Sequence, residues 1–148
     1  MTTPSEDQTL HKLLETKNYL IYWQDAERTM LVLDVRGQWD WGQAFAALAH
    51  FNQTLYDTPY PTYSLLKFSE GTNIVPSGLT LPNVRDLMAM HPPLEQLVIL
   101  VNAGTFIQSM IQTASRTYGL RAIFGRYRFV NTLDEAFQLI QAHRQQRG

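Results

Sequence analysis

The sequence predicts a single α/β domain built on a mixed β-sheet, with helices packed against that sheet. Residues 97–101 (LVILV) are apolar without a polar break and rich in β-branched side chains, which is typical of a strand buried on both faces. After a turn at 102–105, apolar residues recur at the spacing of a helix that packs back on the sheet. Hydrophobic residues make up 45% of the 148 residues and charged residues 17%, so the chain can bury a core without disulfides.

The N-terminal part predicts a tail followed by a hairpin. Residues 1–17 are expected to form the tail, in which leucines at positions 10, 13 and 14 indicate a short helical turn, and 18–148 are expected to form the domain. Aromatic and β-branched residues fill 19–23 and 30–35, and a short polar turn joins the two stretches. This pattern predicts an antiparallel pair of strands.

The middle of the chain predicts a helix, a strand and an irregular loop. The helix has an apolar face between Ala44 and Leu55, with Asp40 as its N-cap, and the prolines at 59 and 61 prevent its continuation. Residues 63–68 read as a strand. The loop 69–80 is rich in glycine, proline, serine and asparagine, and its length of about a dozen residues is unusual for a simple connection.

The last third predicts alternating helices and strands. Thr80 is expected to cap a helix with Pro82 in its first turn, and residues 122–124 form a short candidate strand. The alternating stretch 126–130 either extends that strand or forms a partly exposed connection. Thr132 and Glu135 have the spacing of a capping box before a final helix. The resulting order is β-β-α-β-α-β-α-β-α. Because every crossover after the hairpin contains a helix, the later strands should be parallel.

Charge and composition exclude several function classes. The formal net charge of −1 provides no general attraction to nucleic acid or to an anionic membrane surface. No run reaches the ~20 apolar residues that a membrane-spanning helix needs. Without cysteine there is no thiol nucleophile or thiolate ligand, and the four histidines lack a paired metal-binding spacing. We therefore expect a cytoplasmic protein with no metal, cofactor, nucleic-acid partner or membrane insertion.

The element order and the closing phrase at 129–136 (FVNTLDEA) resemble the SpoIIAA-like group, which includes the STAS domains of anti-sigma factor antagonists. That family's phosphorylation loop typically runs Leu-Asp-Leu-Ser and then Ile-Asp-Ser-Ser-Gly-Leu. Here 66–69 (LKFS) is followed by 74–79 (IVPSGL) at similar spacing. The resemblance places Ser77 at the phosphorylatable serine, while Lys67 and Val75 stand where the family has acidic residues. It therefore implies a degenerate, non-phosphorylated member.

Two further stretches are candidate sites. Asn102, Gly104 and Thr105 lie where a strand ends and a helix begins, which is a common position for anionic ligands in open α/β sheets, although an ordinary helix start is the alternative. Trp39 and Trp41 flank the predicted cap. At least one of these rings is expected to face outward as part of an interface, with core packing as the alternative.

Asp34 shares its strand face with Met30 and Val32, which predicts a buried acid that needs a partner. A structural pair, for example with an arginine, is favoured over a role as general base.

These observations favour a non-enzymatic SpoIIAA-like regulatory or protein-interaction domain that self-associates as a homodimer. The first alternative is a carrier of a small apolar or lipid-like ligand, in a pocket under the loop 69–80. A second alternative is a phosphorylation-switched anti-sigma antagonist with Ser77 as acceptor. The third is a small hydrolase or transferase that uses Asp34 or Ser77. No catalytic constellation is visible in the sequence.

Overall fold

A computed structural model describes residues 12–37, 40–69 and 80–147, which form a six-stranded sheet with helices on both faces. The strands are β1 Lys12–Glu15, β2 Tyr19–Trp23, β3 Met30–Val35, β4 Thr62–Phe68, β5 Glu95–Val101 and β6 Tyr127–Val130. The helices are α1 Trp41–Tyr56, α2 Leu81–Ala89, α3 Gly104–Thr117, α4 Arg121–Phe124 and α5 Leu133–Arg147.

The strands lie in the sheet in the order in which they occur along the chain. β1, β2 and β3 are antiparallel, and the pairs β3–β4, β4–β5 and β5–β6 are parallel. The predicted fold class is therefore confirmed: a mixed sheet with an antiparallel hairpin, later parallel strands and helices packed on it.

Two local predictions are wrong. Leu13 and Leu14, expected in a short helical turn with Leu10, lie in β1, because the edge of β2 offers backbone groups for pairing and Leu14 lies opposite Ile21. Leu10 lies outside the described residues. Residues 122–124, expected in a strand, belong to α4. Gly119 has a φ of 68° and ends α3 in the left-handed region, after which the chain turns directly into this short helix. The strand follows at 127–130 instead.

Side-chain caps fix the starts of three helices where the sequence predicts them. The Asp40 carboxylate accepts from the backbone N–H of Gln43 at 2.8 Å, and Gln43 accepts in return from the backbone of Asp40 at 3.0 Å. The Thr80 hydroxyl accepts from Asn83 N–H at 3.3 Å. Thr132 accepts from Glu135 N–H at 3.2 Å and donates to its carboxylate.

The core has two sides, and β5 contributes to both. Val98 and Leu100 face α1, α2 and α3, whereas Leu97, Ile99 and Val101 face α5. All five are at most 6% exposed, as expected for a strand covered on both faces. Burial of each such side chain contributes roughly 1.5–3 kcal/mol relative to exposure, so this strand is a large part of the apolar driving force.

α5 is anchored to the sheet by its buried face and by two polar side chains near its end. Ala136 and Ile140 pack against the sheet. The Tyr63 hydroxyl lies 2.8 Å from Nδ1 of His143, and the Arg144 guanidinium lies 5.2 Å from the centre of the Tyr63 ring. These contacts hold the C-terminal helix over the strand face opposite to α1.

The hydroxyl group of Tyr22 is buried on the α5 side of the core. The residue is 1% exposed, and its hydroxyl finds no hydrogen-bond partner in the described part of the chain. Burial, together with the Asp34 carboxylate and against the smaller effect of Arg36, raises the pKa of Tyr22 to about 12. The neutral phenol is thus held in a site that does not use its hydrogen-bonding capacity.

We expect Tyr22→Phe to raise the free energy of unfolding by about 1 kcal/mol at pH 7, because it removes a buried hydroxyl without a partner. Between pH 10 and 12 the unfolded tyrosine loses its proton while the folded one keeps it, so wild-type stability falls as the pH rises. This group contributes up to roughly 1.4 kcal/mol per pH unit to that fall. Urea unfolding measured between pH 10 and 12 should show a smaller decrease in the free energy of unfolding with pH for Tyr22→Phe than for the wild type. Equal decreases in the two proteins would contradict the raised pKa of Tyr22.

Candidate functional site

A cavity of about 120 Å³ lies on the sheet face that carries α1, α2 and α3. α1 packs over β3 and α2 packs against α3, which leaves a space above β4 and β5. Its walls are mostly apolar and include Ala44, Leu48, Leu100, Met88 and Met110. Protein interiors hold few voids of this kind, and an engineered apolar cavity of about 150 Å³ takes up benzene. This cavity is therefore the candidate site.

One end of the cavity is polar and is built around a buried carboxylate. Glu95 is 5% exposed, and its Oε2 accepts a short hydrogen bond from the fully buried hydroxyl of Ser64. His91 Nδ1 lies 3.1 Å from Oε1 of the same carboxylate. Arg126 contacts Nε2 of His91 through Nη1, which also donates to the backbone oxygen of Glu95 at 3.1 Å.

An irregularity in the β4–β5 ladder gives Glu95 this orientation. Thr62 pairs with Glu95, but Tyr63 pairs with Leu97, so Gln96 is an extra residue on β5. Simple alternation would place Glu95 on the α5 side with Leu97. The bulge instead turns it toward Ser64 and the cavity, as bulges near functional sites often do. The alternating pattern of the sequence gives no sign of this change of face.

His91 lies between the Glu95 carboxylate and the Arg126 guanidinium. Its Nδ1 faces Oε1 of Glu95, and its Nε2 faces Nη1 of Arg126. Because Arg126 also donates to the Glu95 backbone, its positive charge lies next to the buried acid. Tyr127 lines the same cavity, and burial together with the negative charge of Glu95 raises its pKa above the ordinary tyrosine value.

Ser64, His91 and Glu95 are the residue types of a hydrolase triad, but their connections differ from those of a triad. In a triad the imidazole contacts the serine and the acid orients the imidazole. Here the carboxylate lies between the other two groups, and Arg126 occupies the second imidazole nitrogen. The geometry provides a polar binding surface, without the contact that would activate Ser64. Within the described ranges, no group of three acidic or histidine side chains is placed to hold a metal ion.

The two predicted sites at Ser77 and Trp39 lie outside the described residues. Trp41 is half-buried, lines the cavity and has its ring centre 6.3 Å from that of Phe45. Phe45, which the sequence places on the apolar face of α1, is 41% exposed. Trp41 therefore combines a wall position in the cavity with contact to an exposed ring.

Asn102, in the turn predicted to bind anions, has a structural role. Asn102 has a φ of 62°, donates from its backbone to Val130 at 2.9 Å, and donates from its side chain to the Phe68 carbonyl at 3.1 Å. It thereby joins the ends of three parallel strands. Gly104 and Thr105 are exposed at the start of α3. Anion binding at this turn stays a prediction.

The expectation that Asp34 is buried and paired agrees with the structure. The residue is 6% exposed and accepts from the Ser69 hydroxyl at 2.7 Å. Arg36 lies 3.4 Å and Lys67 4.0 Å from its second oxygen. With one partner in β4 and two in the residues that directly follow β3 and β4, this carboxylate joins neighbouring strand ends.

Comparisons of the chain with protein-family models, with curated proteins and with solved structures found no match. Among the described residues, no helix combines the length and apolar character needed to span a membrane.

Replacing Arg126 with leucine should lower the free energy of unfolding by about 2–3 kcal/mol, because Glu95 is left buried without a compensating charge. Adding Glu95→Gln to that variant should recover part of the loss. Urea unfolding of the two single variants and the double variant measures this coupling.

Arg128→Leu is the matched control, since Arg128 is exposed on β6, two residues after Arg126, and its guanidinium donates to the carbonyls of Gly125 and Tyr127. We expect its stability to change by less than about 0.5 kcal/mol. Strictly additive effects of Arg126→Leu and Glu95→Gln would rule out the coupling.

Proposed function

We propose that this chain is a non-enzymatic binding domain that takes up one small, mainly apolar ligand between α1 and α2. The apolar cavity with a single polar end is the observation that supports this function. Ligand pockets commonly have this character, with apolar walls and a few convergent polar groups.

A SpoIIAA-like origin is part of the proposal and is supported by the sequential strand order and by the capped last helix. A cytoplasmic location is likewise proposed, on the basis of the cysteine-free sequence. Phosphorylation at Ser77 stays a prediction, as does a place for the ligand under the loop 69–80.

Toluene is a suitable probe because it matches the apolar walls and the size of the cavity. In protein labelled with ¹³C at the methionine methyl groups, we expect toluene to shift the signals of Met88, Met90 and Met110, which line the cavity. Met30 packs on the α5 side of the sheet, so its signal should stay unchanged. Shifts of equal size at all four methionines, or none at any, would contradict the proposal.

Ala44→Leu tests whether the ligand occupies this space. Ala44 is buried on α1 and lines the cavity, so three added carbon atoms should fill part of it and reduce toluene affinity at least about tenfold. Ala46→Leu adds the same atoms to the exposed face of the same helix and should leave the affinity unchanged. Unchanged binding to the Ala44 variant would place the ligand elsewhere.

A second candidate function is self-association through α1. The exposed ring of Phe45 and the adjacent Trp41 ring are the observation that favours it, because aromatic side chains are enriched in interfaces. We propose a second copy of the chain as the partner.

Sedimentation equilibrium should then show a dimer for the wild type and a dissociation constant raised at least about tenfold for Phe45→Ser. Phe106→Ser is the matched control, since Phe106 is 49% exposed on α3. A wild-type monomer at all concentrations would refute self-association.

A further inference from the structure

The apolar space beneath α1 extends beyond the main cavity described above. A second cavity of about 30 Å³ lies between α1 and the carboxyl ends of β3 and β4. The two cavities share four wall residues, Ala44 and Leu48 of α1 and Leu66 and Phe68 of β4. Leu48 and Leu66 are only half-buried, so a change of rotamer at these leucines would join the two spaces.

We infer that the joined space selects an unbranched alkyl chain, such as that of a medium-chain alcohol or fatty acid. This selectivity rests on the binding function proposed above, to which it adds the shape of the ligand. Ser64, Leu66 and Phe68 are alternate residues of β4 that all line the main cavity, which therefore follows the strand for about 13 Å. The second cavity continues from Phe68 toward Leu33 and Val35 of β3. A long space of small volume suits a chain.

The combined volume limits the length of the chain. The main cavity has about 120 Å³ and the second about 30 Å³. A cavity of about 150 Å³ takes up benzene, so we expect room for about six carbon atoms. The end of a straight chain of this length then lies in the second cavity.

The polar groups at the Glu95 end of the main cavity already bond to one another. One Glu95 oxygen accepts from Ser64, and the other lies 3.1 Å from Nδ1 of His91. In the described part of the chain three buried side-chain atoms lack a partner, and none of them belongs to a residue that lines either cavity. A ligand therefore needs no polar atom of its own inside the space.

The polar head of the ligand is expected at the outer end of the second cavity. Gln43 is exposed there and Asn18 is half-buried, so a head group at this rim stays in contact with water. At the opposite end the Glu95 carboxylate is buried and would repel a second negative charge. The methyl end of the chain therefore points into the main cavity.

1-Hexanol and its isomer 3,3-dimethyl-1-butanol form the test pair, since they have the same atoms and differ in shape. The straight chain spans both cavities and the compact isomer does not, so 1-hexanol should bind at least about fourfold more tightly, the value of one buried methylene group. Titrations are followed at the methyl signals of Met88 and Met110, which line the main cavity.

Ala47→Leu tests the second cavity by itself, because Ala47 is buried on α1 and lines the second cavity but not the main one. The added carbons should remove the advantage of 1-hexanol and leave toluene binding unchanged, which also shows that the variant is folded. Ala46→Leu, on the exposed face of α1, should leave the advantage intact. Val35→Ile adds one carbon to the same cavity, should reduce the advantage, and decides the question if Ala47→Leu does not fold.

Hexanoate tests the orientation of the chain. With its carboxylate at the exposed rim, hexanoate should bind within about tenfold of 1-hexanol, whereas a carboxylate buried beside Glu95 would lose its hydration and be repelled. Binding weaker than this limit would place the head group at the Glu95 end and overturn the orientation.

The outcomes separate the two proposals. If both alcohols bind the wild type equally while toluene shifts the cavity methionines, the chain selectivity is wrong and the apolar binding function stands. If 1-hexanol keeps its full advantage in both Ala47→Leu and Val35→Ile, the chain does not enter the second cavity and the selectivity is again wrong. If neither alcohol nor toluene shifts the signals of Met88 and Met110, the proposed function fails, and the selectivity fails with it.

Discussion

A buried carboxylate on a bulged strand is the constraint around which one face of this domain is arranged. Glu95 cannot stay ionised and buried unless hydrogen bonds and an opposite charge compensate for the lost water. Ser64 comes from the neighbouring strand, His91 from the end of α2, and Arg126 from the residue before β6. One acidic residue thus links three parts of the chain that are distant in sequence, and these parts enclose the polar end of the cavity.

The cavity itself is a consequence of how the helices share the sheet. Parallel strands in sequential order, joined by right-handed crossovers, place α1, α2 and α3 on the same face. α2 packs against α3, whereas α1 packs toward β3, and the cavity lies between these helices above β4 and β5. Flexible methionines such as Met88 and Met110 line this space, and such side chains adapt readily to ligands of different shape.

Much of the fold could be predicted from the sequence, whereas the site could not. Apolar runs such as 97–101 and caps such as Asp40 are local signals, and the structure has both in place. Glu95 was not predicted to face the helices, because only the pairing of Tyr63 with Leu97 reveals the extra residue in β5. Nothing local in the sequence distinguishes Arg126 from the other arginines, since its partner His91 is 35 residues away in the chain. A short apolar run such as 122–124 fits a strand or a helical turn equally well. In the structure, the left-handed conformation of Gly119 ends α3, and the chain then forms the helical turn of α4.

The strands have the same order in the sheet as in the chain, and this has a consequence for biosynthesis. Each new strand can add to the edge formed by the strand before it, and no strand has to be inserted later between two others. The sheet can therefore grow as the chain leaves the ribosome. The face covered by α5 is the exception. Its strand residues include Leu20, Tyr22 and Val32. They stay exposed until Ala136 and Ile140 of α5 have been synthesised, more than 100 residues later. During that interval this apolar face is the part of the nascent protein most in need of a chaperone.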